Sequence, residues 1–312
     1  MRCLITGGAG FIGSHLVDEA LRRGCDVVVL DNLTTGRLEN LEHCFKEINF
    51  VQGDIRDRDL VFKLARGADR VFHHAAVTAV PETVDDPFTS AEVNDLGCLN
   101  VFSAARSAGV GRVVYASSSA VYGDTETLPH RESMIPSPNS PYAAHKLLGE
   151  HYAAIFRDLY DLEIVPLRYF NVFGPRQDPG STYSGVISIF MDRLFKGRQP
   201  VVYGDGGQRR DFIYVQDVVE ANFLAAETPG LAGRAINVGT GRAAGILNLL
   251  EIMSRLTGVE AAPSFEAHRP GDIYESRADV SRARELLGFS ARTPLETGLA
   301  RTLDWFRKGL SS

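Results

Sequence analysis

The chain has no C-x-x-C pair: its four cysteines, Cys3, Cys25, Cys44 and Cys98, lie scattered through the first third of 312 residues. That spacing suits neither a zinc ribbon nor a disulfide framework, so buried or idle reduced thiols are expected, and no metal site. The chain also lacks an excess of positive charge. Against 39 Asp and Glu stand 33 Lys and Arg, a formal net charge of −6, which argues against a nucleic-acid footprint or an anionic membrane surface. No apolar run approaches the roughly 18 residues that a membrane span needs. The opening MRCLITGG enters a strand at once and leaves no room for a leader peptide, so a cytoplasmic protein is expected. Internal repeats and low-complexity tracts are missing too. What remains, 44% hydrophobic and 23% charged, is a globular composition long enough for one large domain or a large one with a smaller lobe.

Apolar runs alternate with amphipathic stretches through the first half. Cys3–Thr6, Asp26–Leu30, Asn49–Val51, Arg70–His73 and Arg112–Ala116 read as short buried strands, and Glu163–Leu167 extends the pattern. Phe11–Arg23, Leu38–Phe45, Arg58–Arg66, Phe88–Ala108 and Tyr142–Leu159 read as helices. Strands alternating with helices imply βαβ crossovers and a parallel sheet covered on both faces. After Arg168 the texture changes. A Gly-, Pro- and Ser-rich stretch, 174–185, behaves as a loop, and shorter elements follow it. Helices are expected near Val186–Lys196, Val215–Ala226, Ile246–Leu256, Val280–Leu287 and Leu295–Arg307, with strands near Val201–Tyr203 and Ala235–Val238. The division expected is residues 1–170 as a cofactor-binding domain and 171–312 as a smaller substrate lobe, with at least one strand returning to the main sheet.

The first strand runs into Gly7-Gly8-Ala9-Gly10-Phe11-Ile12-Gly13 and then a helix. Gly7 permits the tight turn, Gly10 lets backbone approach a pyrophosphate, and Gly13 allows helix to pack on strand. The helix N-terminus offers free N–H groups and a positive dipole end to phosphates. A glycine-rich turn that merely packs well is the plain alternative. Asp31 weakens that alternative: it ends the second strand roughly 20 residues on, where a carboxylate accepts hydrogen bonds from an adenosine ribose. A carboxylate there repels a 2′-phosphate, so NAD is expected over NADP. Asp54 and Ile55 follow the third strand and could flank an adenine, with helix capping the alternative for Asp54. Ala75 and Ala76 follow the fourth, where small residues let the chain pass close to a cofactor.

Tyr142 and Lys146 in SPYAAHK stand four apart on a helix, on one face. A free phenol titrates at about 10. A nearby ammonium and the positive ring of an oxidised nicotinamide would lower that value, making Tyr142 a general base toward a sugar hydroxyl, with Lys146 also able to hold the nicotinamide ribose. Ser117-Ser118-Ser119 follows the fifth strand, and a hydroxyl at a strand's carboxyl end faces the crevice where open α/β sheets bind ligands. It can share the hydrogen bond of a reacting oxygen and shuttle its proton. Tyr122 reads as a pocket wall rather than a second base.

The motifs TGGAGFIG, DNL, GDIRD, HHAA, SSSAVYG, SPYAAHK, LRYFNVFGPRQ, VYGDGGQRRDFIYVQD, INVGTG and RPGDIYESRAD run through nearly the whole chain. In that order the chain resembles the extended short-chain dehydrogenase/reductases, and within them the nucleotide-sugar epimerases of the UDP-galactose 4-epimerase type. The resemblance implies a Rossmann-type doubly wound α/β fold with a smaller α/β C-terminal lobe, bound NAD, a UDP-sugar substrate and a homodimer built on Phe88–Ala108 and Tyr142–Leu159. It puts Ser118, Tyr142 and Lys146 in the catalytic roles. It implies cofactor contacts from Gly7, Gly10, Phe11, Ile12, Gly13, Asp31, Asn32, Gly36, Asp54, Ile55, Ala75, Ala76, Asn94 and Tyr169, besides Tyr142 and Lys146. Substrate contacts fall on Asn171, Val186, Tyr203, Arg210, Arg269, Asp272 and Ser276, besides Ser118 and Tyr142. Arginine suits a pyrophosphate, Tyr203 could stack on uracil, and Asp272 could accept ribose hydroxyls.

Departures from the wider superfamily narrow the reaction. Sugar 4,6-dehydratases place Asp-Glu where this chain has Ser119-Ala120, and UDP-glucuronate decarboxylases carry Glu at Ala120. Hydride removal and return without elimination remains, which is epimerisation. Ser276 falls where the family tunes space around the sugar C2 substituent, and a small residue there leaves volume for an N-acetyl group. The expected substrates are therefore UDP-GlcNAc/UDP-GalNAc, UDP-Glc/UDP-Gal, or both. A UDP-uronate 4-epimerase, a net NAD-dependent oxidoreductase and a non-catalytic NAD-sensing scaffold stay open as alternatives.

Overall fold

In the computed structural model, residues 1–178, 185–267 and 273–310 are described. Six parallel strands alternate with helices in the first half: β1 (Arg2–Thr6), β2 (Asp26–Asp31), β3 (Ile48–Gln52), β4 (Arg70–His73), β5 (Arg112–Ser118) and β6 (Ile164–Tyr169). The late strand Ile236–Val238 pairs parallel with β6, giving a seven-stranded sheet in the order 236–238, β6, β5, β4, β1, β2, β3. This is the Rossmann-like α/β architecture that the alternation implied.

The strands read as near-continuous apolar runs because both faces are covered. Period-two alternation sends Cys3, Ile5, Val27, Val29, Phe72 and Val114 to one core. Leu4, Val28, Leu30, Val71 and Val113 go to the other. Helix α1 (Phe11–Arg22) and the later helix Val215–Glu227 contribute to the first core; α2 (Arg58–Ala65), α5 (Cys98–Ser107) and α6 (Pro141–Tyr160) contribute to the second, with the short α3 (Val80–Asp85) and α4 (Pro87–Ala91) between α2 and α5. All four cysteines are buried and free of disulfides, as expected.

Two segments differ from the reading of the sequence. Leu38–Phe45 is not an α-helix but two 3-10 turns, Leu38–Asn40 and Glu42–Cys44, only the last of whose residues is buried. Leu41, between the turns, and Cys44 reach the first core while Leu38 and Phe45 stay exposed, so no continuous apolar face draws the segment into longer helix. The stretch expected as one helix over Phe88–Ala108 is Pro87–Ala91, a π-helical turn Glu92–Gly97, and then α5; a further short helix, Val80–Asp85, precedes it.

Residues after β6 build smaller pieces. Asn171–Phe173 pairs parallel with Phe212–Tyr214, and Val201–Tyr203 with Ser264–Glu266. Arg209–Arg210 lies between Ala244–Gly245 and Glu275–Ser276. A third core gathers Phe173, Phe190, Met191, Tyr214, Leu249 and Leu303. Among the described residues, no helix is long and apolar enough to cross a membrane.

Candidate active site

In a parallel sheet every carboxyl end lies on one edge. Gly7, Asp31, Gly53-Asp54, His74-Ala75, Ser118 and Tyr169 end or immediately follow β1 to β6 and so share that edge. Strand order turns at β1, with β2 on one side and β4 on the other, and such a switch point opens a crevice.

The glycine loop is shaped around this crevice. Gly7 has φ +71°, and a Cβ on it would stand 2.7 Å from the Ala75 nitrogen. A Cβ on Gly13 would collide with the Gly7 carbonyl. Gly10 precedes α1 with extended backbone and no side-chain cap, and the first turn of α1 holds no acidic residue. Its N–H groups and positive dipole end therefore face outward uncompensated by protein charge. Phe11 and Ile12 open α1 and pack toward the third core.

Asp31 is 6% exposed, and its carboxylate accepts from the Ala9 nitrogen at 2.9 Å and the Leu33 nitrogen at 2.8 Å. Burial pushes its carboxyl up, and those two backbone donors oppose the rise. A Cβ on Gly36 would lie 2.6 Å from Asp31 Oδ1, so a bare backbone passes beside this carboxylate. Asn32 donates to Asp54 at 3.0 Å. The Arg56 guanidinium pulls the Asp54 carboxyl down to about 2. The capping alternative for Asp54 fails: the side chain that accepts at the start of α2 is Asp57, from the Leu60 nitrogen. Ile55 is buried, against the backbone of Gly97. These features, a Cβ-free cradle, an open helix end and a carboxylate one strand away, fit a dinucleotide.

Asn94 sits in the π turn and clasps the backbone after β4. Its Oδ1 accepts from the Val77 nitrogen at 2.8 Å and its Nδ2 donates to the Val77 carbonyl at 2.9 Å. Ala75 and Ala76 lie on the segment so held. Tyr169 donates to Asn222 at 2.8 Å, and the His74 ring stacks on it at 5.9 Å.

The side chains expected to react converge from β5 and α6. Ser140 caps α6 and Pro141 opens it, which places Tyr142 in the first turn. The Thr83 hydroxyl accepts from the Tyr142 nitrogen at 3.3 Å. Ser118, the last residue of β5, lies near enough to the Tyr142 phenol to lower its proton affinity, and its hydroxyl accepts from the Ala120 nitrogen at 3.1 Å. Lys146 is 5% exposed and donates to the Ala116 carbonyl at 2.7 Å, with its ammonium 5.7 Å from the Tyr142 ring centre. Burial pulls Lys146 down to about 8.

One electrostatic expectation is corrected. In the chain alone the Tyr142 phenol is pushed up, not down, because burial penalises the phenolate; the nearby Ser118 hydroxyl opposes the rise. The ammonium is engaged with a backbone carbonyl rather than with the phenol oxygen, which limits its hold on that proton. Tyr122 is fully enclosed, with its hydroxyl donating to Asn237 at 2.6 Å and its phenol pushed up to about 12 by burial, so it is no second base.

Several expected substrate residues are neighbours. Ser276 is buried opposite Arg210 in the small sheet, and Arg210 donates to the Tyr274 carbonyl at 3.1 Å. Asn171 takes a backbone hydrogen bond from its own nitrogen to the Asp211 carbonyl, at 3.0 Å. Tyr203 ends its strand and Val186 opens the helix Val186–Phe195. Arg269 and Asp272 lie outside the described residues. The sequence reading missed Asp211, Glu150 and Thr83. Asp211 is fully buried and binds Thr240, Gly241 and Ala278. Glu150 had a signal, a carboxylate continuing the i, i+4 stripe of Tyr142 and Lys146; Thr83 had none.

Comparison with known proteins settles the family. Residues 3–239 match the model of the NAD dependent epimerase/dehydratase family. The chain belongs to that family. A UDP-glucose 4-epimerase of Mycolicibacterium smegmatis is 44% identical over 311 residues, covering 98% of this chain and 99% of the relative. A solved UDP-N-acetylglucosamine 4-epimerase from Methanobrevibacter ruminantium, in complex with UDP-N-acetylmuramic acid, superposes with a TM-score of 0.95 at 39% identity, covering 99% of this chain and 98% of that one. The UDP-glucose 4-epimerase of Thermus thermophilus in complex with NAD gives 0.90 at 40% identity, covering 98% and 99%. The resemblance to the 4-epimerase type is thereby shown, and NAD is the cofactor of this family member.

The histidines near the site carry a pH signature. Burial pulls His73 and His74 down to about 3 and His15 to about 4. An unfolded imidazole titrates at about 6.5. Between those values the unfolded chain binds protons that the folded chain refuses, so stability falls as pH falls from about 6.5 toward 4. His73 alone contributes about 2 kcal/mol of that loss at pH 5. Urea midpoints at pH 7 and pH 5 should differ clearly, and His73→Gln should narrow the gap; an equal gap in the variant would contradict the assignment.

Proposed function

We propose that this protein is an NAD-dependent isomerase that epimerises the 4-position of a UDP-hexose. The observation that carries the proposal is the convergence of Ser118, at the end of β5, with Tyr142 and the buried Lys146 of α6 at the carboxyl edge of the sheet, where the glycine loop also lies. When bound, NAD would accept hydride from the sugar C4 and give it back to the opposite face of the 4-keto carbon, and its positive ring in the oxidised form would favour the phenolate. Tyr142 removes the proton of the 4-hydroxyl, and Ser118 shares the hydrogen bond of the same oxygen. Lys146, which holds charge below about 8, is assigned to hold the nicotinamide ribose. The chain grips the nucleoside diphosphate far from C4, so the 4-keto sugar can turn and present its other face before Tyr142 returns the proton. The 3-10 turn after Ser118, Ser119–Tyr122, carries no carboxylate, which supports epimerisation over elimination or decarboxylation.

The division of labour we assign is residues 1–170 for NAD and chemistry, and 171–312 mainly for the nucleotide sugar. The separate core of Phe190, Met191 and Leu249 supports it. Asn171, Val186, Tyr203, Arg210, Arg269 and Asp272 are the assigned contacts to the nucleotide. Ser276 is the wall near the sugar C2 substituent, and its size favours UDP-GlcNAc and UDP-GalNAc alongside or over UDP-Glc and UDP-Gal.

The protein is expected to form a homodimer through the surface that includes Phe88, Leu96, Ile155 and Leu159. Phe88 is 84% exposed in the single chain, and Leu96, Ile155 and Leu159, on the same two helical stretches, are exposed too, apolar surface that water disfavours.

Three measurements test these readings. Tyr142→Phe should lose about 100- to 10,000-fold in turnover while retaining NAD; a variant that turns over normally refutes the assignment. Ser276→Tyr should abolish conversion of UDP-GlcNAc and spare UDP-Glc. If the parent converts UDP-Glc readily and UDP-GlcNAc not at all, the C2 assignment is wrong. Light scattering should give twice the 34.1 kDa chain mass, and a monomer would remove the interface.

A further inference from the structure

Behind the reacting groups lies a buried ion pair that proton transfer does not use. Glu150 is on α6, eight residues after Tyr142 and four after Lys146, so the three continue one stripe of the helix. Its Oε1 accepts from Arg168 Nε at 2.9 Å and its Oε2 from Arg168 Nη2 at 2.6 Å. The two side chains are 8% and 5% exposed. Glu150 Oε1 also accepts from the Ser117 hydroxyl. The Arg168 guanidinium lies over the Tyr122 ring, 4.8 Å from its centre, and Tyr122 is tied to Asn237. The residues on either side of Ser118 are thus both anchored: Ser117 directly to Glu150, and the following turn through Tyr122 to Arg168.

A buried ion pair is a weak source of stability, since apolar side chains of similar volume commonly serve as well. What it adds is direction. A bidentate guanidinium–carboxylate contact fixes two planes and two distances, whereas apolar surfaces tolerate a slide. Ser117 ties Glu150 to β5 and Arg168 ties it to the neighbouring β6, so the helix that carries Tyr142 is docked on the strand that ends at Ser118, and a hydrogen bond between those two hydroxyls would weaken steeply with distance and angle. We propose that Glu150 and Arg168 are positioning residues, which hold α6 against the end of β5 in the register that brings the Tyr142 phenol to Ser118.

This inference rests on the reading of Ser118 and Tyr142 as reacting groups, and its test separates the two. The double variant Glu150→Met/Arg168→Met buries no lone charge, so its thermal midpoint should stay close to that of the parent. With NAD bound, its kcat on UDP-Glc or UDP-GlcNAc should fall roughly 10- to 100-fold, with KM and NAD content unchanged. Independently of turnover, ultraviolet titration should show the Tyr142 phenolate, identified by its loss in Tyr142→Phe, forming at higher pH than in the parent. A kcat within about twofold of the parent, or an unshifted Tyr142 titration, overturns the proposal. If the double variant fails to fold, Ser117→Ala leaves the ion pair intact and should lower kcat several-fold at an unchanged thermal midpoint; parental kcat there overturns it equally. A parent that turns over no UDP-hexose would refute the epimerase reading instead, and the titration alone would then decide the positioning role.

Discussion

Helix α6 carries an ammonium and a carboxylate into the interior one turn apart, and the rest of the site is arranged around satisfying them. Neither charge is left to bare apolar surroundings. Lys146 donates to the Ala116 carbonyl, and Glu150 takes Arg168 and Ser117. Both sets of partners lie on β5 and β6, so meeting the two charges also docks the helix on those strands. Tyr142, one turn before Lys146, is thereby delivered to the end of β5, where Ser118 meets it.

The other half of the site depends on the absence of atoms. Gly7 and Gly13 stand where a single Cβ would strike backbone, and Gly36 where it would strike Asp31. The strand ends can therefore crowd together at the switch point while the first turn of α1 keeps its N–H groups directed outward. Asn94 adds a less obvious support. By pairing both polar atoms of its amide with Val77, it fixes the segment that carries Ala75 and Ala76. A π turn aims it there, and such turns often mark functional positions because they redirect a side chain without ending the helix.

The balance on the Tyr142 phenol illustrates how fold and chemistry share the work. Burial alone favours the neutral phenol, which suits a proton donor but not a base. Ser118 opposes that tendency, and a cationic nicotinamide opposes it further only while oxidised. In the proposed reaction the same side chain acts as base when hydride leaves the sugar and as acid when hydride returns. Such a two-way group is what a reversible epimerisation requires.

Much of this was written into the sequence. Alternating apolar runs dictated a two-faced parallel sheet, the spacing of Gly7, Gly10 and Gly13 ahead of Asp31 marked a dinucleotide crevice, and Tyr142 with Lys146 marked one helical face. These are local signals, carried by period and by residue type. Leu38–Phe45 misled for the same reason, since its pattern is helical but only Leu41 and Cys44 reach the core while Leu38 and Phe45 stay exposed. Only the tertiary structure decided that Ser117 would grip Glu150, that Thr83 would meet the start of α6, that Asp211 would hold Thr240 and Ala278, and that the phenol would rise rather than fall. Each depends on side chains brought together from distant parts of the chain and on how much water they lose, quantities that no window of sequence contains.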